Sequence, residues 1–417
     1  MSASSPQPFM VSFTEMATTL HEVHQAHAHM IKTGLIRNTF AASRLIAFAD
    51  TNSTDPTTLT YAHSVFTRVS KPNSYVWNTI IRAYTNSSSP VLALLVFHQM
   101  LHGPVFPDKF TFPFVLKACS YLHWIKKGQQ IHTHIVKVGL GSDVFIQNTL
   151  IHLYASAGFI ECAHNLLNRM FERNVISWNA ILSALADQGL MEQALSLFEE
   201  MPEKNVESWN FMISGYVSLG LIQEARSYAH VSCFDEVLAV FEDMQNAKVK
   251  PNSYTLVNVL SACANVGAMN QGEWIYSFIN KNDIKIDGFL ATALVDMYAK
   301  CGNIARLWKV FSEMLAEGYS ANEITFVSVL SACSRAGLLD EGYSVFYLMV
   351  HVHGIKPCIE HYCCMAEEFI TAMELKDAPA VWVSLLNSCR IHENVKMAEH
   401  VAMWLFKLNL LVHFHAL

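Results

Sequence analysis

The sequence predicts an all-α fold, a solenoid of stacked helical hairpins, and three observations predict it. The tripeptides Val76-Trp77-Asn78, Ser177-Trp178-Asn179 and Ser208-Trp209-Asn210 each open a similar apolar run. Aligned on that asparagine, equivalent positions fall at Ser43, Asn78, Pro113, Asn148, Asn179, Asn210, Val257, Thr292, Val327 and Cys363, in steps of 35, 35, 35, 31, 31, 47, 35, 35 and 36 residues. A period of this size is the mark of helical hairpins that bury their apolar faces against one another. Finally, the 417-residue chain is 52% hydrophobic and only 15% charged, which suits helices covered on two sides by their neighbours. No composition shift or Pro/Gly/Ser-rich linker divides the chain, so one continuous array over residues 20–377 is the simplest organisation.

Residues 1–19 precede the array. The first 36 residues hold no arginine and include Glu15 and Glu22, whereas a mitochondrial presequence is Arg-rich and acid-poor. The Ser/Thr content of the segment leaves it as a weak targeting sequence, with the mitochondrion as the expected address and the chloroplast as the alternative.

Within the array, Ser74 to Asp108 shows the grammar of one unit. Tyr75, Ile80, Ile81 and Tyr84 fall at helical spacing before a Ser-rich turn. A second helix opens with Pro90 in its first turn, where a missing N–H costs little, and closes at Gly103. Phe106-Pro107-Asp108 then imposes an extended connection, because proline disfavours helix in the residue before it. Lys109–Asp143 and Val144–Asn174 repeat the pattern, the latter with a shorter second half.

Three units are contracted. From Val206 to Asn252 the chain begins one repeat and finishes in the second half of another, with 47 residues where two units need about 66. Near 303–314 the first half of a short unit joins the second half of a standard one, and near 361–370 the middle of a hairpin is missing. A hairpin lacking part of its partner leaves apolar faces uncovered, so these joins are expected to repack or to weaken the array. The extra half-hairpin is expected to separate Asn210 from Asn252, and Glu207 stands where other units carry an apolar residue.

The net charge of −7 opposes binding of nucleic acid mainly by blanket phosphate attraction, though not base readout in a local groove. Ten cysteines show no CxxC pair, and Cys119, Cys263 and Cys333 recur at equivalent positions; small buried thiols in a reducing compartment fit them better than disulfides. The apolar stretch Val401–Leu417 is broken by Lys407, Asn409, His413 and His415, so it is read as non-spanning. His21, His24, His27 and His29 lie close together, but His132 and His134 repeat the phrase in a later unit, which favours ordinary repeat residues over a metal site. Adjacent Cys363 and Cys364 suit one tetrahedral ion poorly. Trp77, Trp178 and Trp209 fall on an apolar helix face and are expected in the core.

The segments TFPFVLKACS, GQQIHTHIVKVGL, VISWNAILSALADQGLMEQALSLFEEM, ALVDMYAKCGNI and ITFVSVLSACSRAGLLDEG resemble the plant pentatricopeptide repeat proteins. The resemblance is to the subclass in which long, short and standard repeats alternate, and it covers residues from about 20 to 390. Residues 378–409 look like the start of the E-type extension of that branch, and 410–417 form an atypical tail. The resemblance implies a right-handed α-solenoid superhelix of tetratricopeptide-like hairpins. It also implies that each repeat meets one base of single-stranded RNA through its fifth and last residues. Asn78 with Asp108 resembles a uridine reader. Asn148 with Asn174 and Asn179 with Asn205 resemble pyrimidine readers leaning to cytidine, and Ser43 with Asn73 and Thr292 with Asn322 resemble adenosine readers. Asn210 with Asn252 completes the set. Second residues Phe40, Tyr75, Phe145, Ile176 and Phe289 would sandwich the bases, whereas Pro113, Val257 and Val327 make the long repeats look like spacers. At about 1 kcal/mol per matched base, the five readers other than Asn210 with Asn252 would supply about 5 kcal/mol, or roughly three to four decades of selectivity.

Asparagine is also a favoured helix N-cap; repetition at matching ends of successive hairpins favours a shared groove, and both roles are compatible. The implied partners are organellar single-stranded RNA and a separate cytidine deaminase or editing-complex protein, with no membrane, small-molecule substrate, cofactor or metal. The H-x-E and C-x-x-C signatures of zinc deaminases do not occur, so no catalytic residue is assigned and C-to-U editing would need a deaminase in trans. RNA processing or stabilisation without editing is the first alternative. A protein-binding scaffold is the second, opposed by the lack of the W-x2-L-G-x2-Y pattern at a 34-residue period.

Overall fold

The computed structural model describes residues 17–51, 55–223, 230–358, 360, 361 and 364. The chain divides into two compact units, Met1–Lys204 and Asn205–Leu417, and every regular element among the described residues is helical. The contracted segment near 361–370 lies almost wholly outside the described residues, as do 378–409, 410–417 and most of 1–19.

The first unit contains α1 (Leu20–Thr33), α2 (Thr39–Thr51), α3 (Pro56–Arg68), α4 (Ser74–Thr85), α5 (Val91–Leu101), α6 (Thr111–Tyr121), α7 (Ile125–Lys137), α8 (Val144–Ser156), α9 (Ile160–Arg169), α10 (Val175–Asp187) and α11 (Met191–Glu200). From α2 onward they pair as hairpins, α2 with α3 through α10 with α11, and the first helix of each hairpin also packs on the first helix of the next. First helices therefore have protein on both sides. Accordingly α8 buries Ile146, Leu150, Ile151, Leu153, Tyr154 and Ala155, whereas α9, a second helix, buries only Ala163 and Leu167.

The second unit contains α12 (Val206–Gln223), α13 (His230–Asn246), α14 (Ser253–Val266), α15 (Met269–Lys281), α16 (Gly288–Lys300), α17 (Ile304–Ala316), α18 (Glu323–Ala336) and α19 (Leu339–Tyr347). The same two layers recur, with α12, α14, α16 and α18 stacked in sequence. The contracted segment Val206–Asn252 becomes a single hairpin with long arms: α12 and α13 have 18 and 17 residues, against 12 and 11 for α4 and α5. The apolar faces expected to be uncovered there are turned on each other and on α14. The join near 303–314 is absorbed into α17, a 13-residue helix capped by Asn303.

Matched positions recur between the units. A Cβ on Gly128 would lie 2.4 Å from the Leu153 side chain, and one on Gly272 2.5 Å from the Met297 side chain, so glycine at these places leaves room for Leu153 of α8 and Met297 of α16, which would have to move to admit any side chain. Cys119, Cys263 and Cys333 are buried and form no disulfide, and burial pushes the first two up to about 12. Trp178 and Trp209 are core residues, while Trp77 is half-buried against the edge of Phe66. No helix among the described residues is long and apolar enough to cross a membrane.

Candidate nucleic-acid interface

The last residue of each repeat stands just before the next first helix, and there it caps. Asn73, Asn174, Asn252 and Asn322 are N-caps whose side-chain oxygens accept the backbone N–H of Val76, Ser177, Thr255 and Thr325. Asn205 accepts from Ser208 N at 3.0 Å, and Asp108 accepts from Phe110 N and Thr111 N at 2.9 and 3.1 Å. Capping consumes the oxygen and leaves the amide N–H groups of Asn73, Asn174, Asn252 and Asn322 available, so these caps retain hydrogen-bonding capacity toward a ligand.

Asn78 lies one helical turn into α4 and retains 8% exposure. Its Nδ2 donates to Asp108 Oδ1 at 2.9 Å, and its Oδ1 accepts from the Thr111 hydroxyl at 2.6 Å. The amide orientation follows from chemistry, since an ionised Asp108 can only accept. The second unit contains the same arrangement. Asn210 Nδ2 donates to Asn252 Oδ1 at 3.4 Å, and Thr255 donates to Asn210 Oδ1 at 2.6 Å. Asn210 and Asn252 are thus brought together despite the irregular segment between them, because the long hairpin closes at its mouth as a standard one does.

The remaining pairs differ. Thr292 reaches Asn322 through Thr325, whose hydroxyl lies 2.9 Å from that of Thr292 and 3.0 Å from Asn322 Oδ1. Asn148 is not joined to Asn174; its Oδ1 is buried without a hydrogen-bond partner, while Ser177 donates to Asn174 Oδ1 at 2.8 Å. Ser43 departs from the expected pairing with Asn73: it is fully buried and donates to its own helix at Phe40 O, 2.6 Å away. The physical reason is that Val76 occupies the place filled elsewhere by a hydroxyl, so nothing links the two. Asn179 lies buried in the first unit, and Asn205 opens the second.

Second residues Phe40, Tyr75, Phe145, Ile176 and Phe289 are all exposed, Phe145 and Phe289 by 75% and 78%. Large apolar side chains held out to water in register on successive first helices form a row within each unit, broken at α12 by Glu207. Sequence reasoning missed three members of these rows. Phe110, Tyr254 and Ile324, in the long repeats, are more exposed than Phe40 or Tyr75, and each stands three residues before a ladder position, as the five named ones do. Arg44 lies 4.7 Å above the ring of Phe40 and Lys109 5.3 Å above that of Phe110, so cations border the first row.

The histidines have other partners. His27 Nδ1 lies 2.9 Å from Tyr61 OH and His132 Nδ1 3.0 Å from Tyr154 OH. Burial, together with neighbouring His24 and Arg68 for His27, lowers both histidines, while burial raises both tyrosines. The phenols therefore keep their protons and donate to neutral imidazoles.

Profiles of the PPR repeat family match residues 72–120 and 173–208, the pentatricopeptide repeat domain matches 274–336, and the PPR repeat matches 148–175, 207–228 and 324–351. A pentatricopeptide repeat-containing protein of Arabidopsis thaliana is 45% identical over 471 aligned positions, covering 98% of this chain and 86% of that protein. That span exceeds the 417 residues present here, so the relative carries segments within it that this chain lacks. A chloroplastic pentatricopeptide repeat-containing protein of the same plant is 40% identical, covering 94% of this chain and 76% of that one. Among solved structures, the maize pentatricopeptide repeat protein PPR10 in complex with an 18-nt psaJ RNA element aligns with a TM-score of 0.55 at 16% identity, covering 96% of this chain and 64% of that one. At that identity the likeness is one of fold. The repeat period, the two-layer stacking and the near full-length identity to these plant proteins converge: the chain belongs to the pentatricopeptide repeat family.

Proposed function

We propose that this chain binds single-stranded RNA by sequence in a plant organelle and directs C-to-U editing carried out by a cytidine deaminase supplied in trans. The observation that carries the reading is the cluster of Asn78, Asp108 and Thr111 beneath exposed Tyr75 and Phe110. Asn78 keeps one amide N–H beyond its bond to Asp108, and Asp108 Oδ2 has no partner within the protein. A donor and an acceptor side by side complement the carbonyl and N3–H of uridine. Apolar surfaces above and below would stack on the base, worth about 1–3 kcal/mol per nucleotide. With a net charge of −7, such contacts rather than phosphate neutralisation would dominate affinity.

By the same logic the first unit selects uridine at Asn78, passes one nucleotide at Pro113 and selects a pyrimidine at Asn148. The second selects a pyrimidine at Asn210, passes one at Val257 and selects adenosine at Thr292. Relatives in Arabidopsis thaliana are named chloroplastic or chloroplastic/mitochondrial, which supports an organellar address without choosing between the mitochondrion, the first reading, and the chloroplast, its alternative. No residue of the chain is assigned a catalytic role.

The test is selection of bound sequences from a randomised RNA pool by the purified full-length protein. Enrichment of U-x-Y and Y-x-A elements is expected, with the chain's N terminus toward the RNA 5′ end. Asn78→Thr should move the uridine preference toward guanosine. Binding indifferent to sequence, or a preference unmoved by that substitution, would refute base readout. Transcript sequencing in plants lacking the protein separates editing from processing: an unedited cytidine supports the first, altered transcript ends the second.

A further inference from the structure

We infer that the hydroxyl of the third residue of each long repeat sets the base preference of the repeat before it: Thr111 for Asn78, Thr255 for Asn210 and Thr325 for Thr292. The inference rests on the base-reading role proposed above. It changes the part assigned to the long repeats, whose Pro113, Val257 and Val327 offer no polar group to a base. Two residues before each of them stands one of these three threonines.

Each threonine is tied down from below and acts above. The Thr111, Thr255 and Thr325 backbone N–H groups are held by the capping oxygens of Asp108, Asn252 and Asn322, and their hydroxyl oxygens accept the backbone N–H of the same capping residues at 3.0, 3.2 and 3.3 Å. That reciprocal pattern fixes the side chain. The hydroxyl proton is left with two acceptors in reach, the capping Oδ1 at 3.1, 2.9 and 3.0 Å and the preceding reader at 2.6 Å (Asn78 Oδ1), 2.6 Å (Asn210 Oδ1) and 2.9 Å (the Thr292 hydroxyl), and in each case the reader is the nearer. For the two asparagines this occupies one lone pair of the amide oxygen and holds the NH2 toward the capping residue, so the amide cannot turn over without breaking a bond at each end. For Thr292 the consequence is different. Its own proton goes to Gly288 O at 2.8 Å, so with Thr325 donating to it, Thr292 meets a base as an acceptor.

Two other repeats in the first unit show what happens without the bridge. Val76 has no hydroxyl, and Ser43 turns back to its own helix. Ser177 directs its proton to Asn174, and Asn148 Oδ1 is left buried and unpaired. With no bond holding its oxygen inward, the Asn148 amide can turn to present oxygen to a cytosine amino group or nitrogen to a uracil carbonyl, whereas Asn78 is held in one orientation.

The experiment compares Thr111→Val, Thr111→Ser and Asn78→Thr with the parent full-length protein, measuring affinity for RNAs that vary one nucleotide at a time, with thermal unfolding as a check on the fold. The inference expects Thr111→Val to reduce the uridine-over-cytidine preference about tenfold at the nucleotide facing Asn78. Discrimination at the nucleotides facing Asn148 and Asn210 should stay within about twofold, and Thr111→Ser should restore the parent preference within about threefold. An unchanged preference in Thr111→Val, an even loss of affinity at every nucleotide, or a loss that Thr111→Ser fails to restore overturns it. Asn78→Thr separates the two levels: if that variant leaves the preference untouched, base readout itself fails, whereas a shifted preference beside an indifferent Thr111→Val sinks only the role of the hydroxyl.

Discussion

The hairpin α4/α5 and the hairpin α12/α13 perform the same task with different lengths of chain. Asn78 meets Asp108 across 30 residues, and Asn210 meets Asn252 across 42. The longer hairpin takes up its additional residues as six more in each helix, and the groups at its mouth keep the same donor and acceptor pattern. A hairpin can lengthen at its closed end because each added turn on one arm finds a partner on the other. Its open end is fixed by the caps and by packing on the following first helix.

If the long hairpin is a full member of its unit, its second helix should be as costly to damage as the standard one. Phe97 and Phe241 hold equivalent places counted back from Asp108 and Asn252, and both are buried. Phe241→Ala and Phe97→Ala are each expected to destabilise by about 3–5 kcal/mol in denaturant unfolding. The loss should be greater at Phe241, which touches the rings of Trp274 and Phe278, than at Phe97, which touches Phe112. A loss below about 1 kcal/mol for Phe241→Ala would mean that the long arms hang on the unit without supporting it.

The caps sharpen the comparison at the mouth. Asn73 satisfies one backbone N–H, whereas Asn252 satisfies one and also accepts from the Asn210 amide. Asn73→Ala should cost about 1 kcal/mol, and Asn252→Ala about twice that because the Asn210 amide loses its partner. Equal losses in thermal or chemical unfolding would show that the amide bond at 3.4 Å contributes little.

The smallest difference is one of pH. In the first unit His132 accepts from Tyr154, whereas in the second the equivalent pair is Tyr276 beside Tyr298, their rings 6.3 Å apart. Burial lowers His132 below its usual value near 6.5, so the unfolded chain binds the proton more readily. The stabilisation is complete above about pH 6.5 and is lost as pH falls below it. Amide hydrogen exchange at pH 7.5 and 5.5, corrected for the intrinsic rate, should show protection falling in α7 and α8 relative to α15 and α16. Desolvation lowers His152 of α8 as well, so His132→Gln should reduce the difference and His132→Gln with His152→Gln should remove it; an equal fall in both units would place the acid sensitivity elsewhere.

Much of this organisation was legible beforehand. The ladder from Ser43 to Val327 marks the first helices because a buried, twice-covered helix needs the same apolar register in every unit. The capping asparagines were legible for a local reason, since a side chain three residues from a helical N–H either reaches it or does not. The alternative readings of these residues, as caps or as members of a groove, proved geometrically compatible: the oxygen caps and the amide N–H remains. Phe110, Tyr254 and Ile324 were overlooked because the nonpolar fifth residues of their repeats drew attention away from a row that continues regardless.

The amino-acid sequence by itself determined the helical hairpin, its period and its caps, because each of these depends on groups within one or two turns of one another. Only the tertiary structure decided that Val206–Asn252 is one long hairpin, that Asn210 reaches Asn252, that Ser43 turns inward, and that Thr111 rather than a neighbour of Asn78 in the chain holds its amide. Those contacts join groups separated by about 30 residues or more, or depend on which hydroxyl lies across the helix interface. Their geometry exists only once adjacent hairpins have packed and the direction of every donor is settled by the acceptors around it.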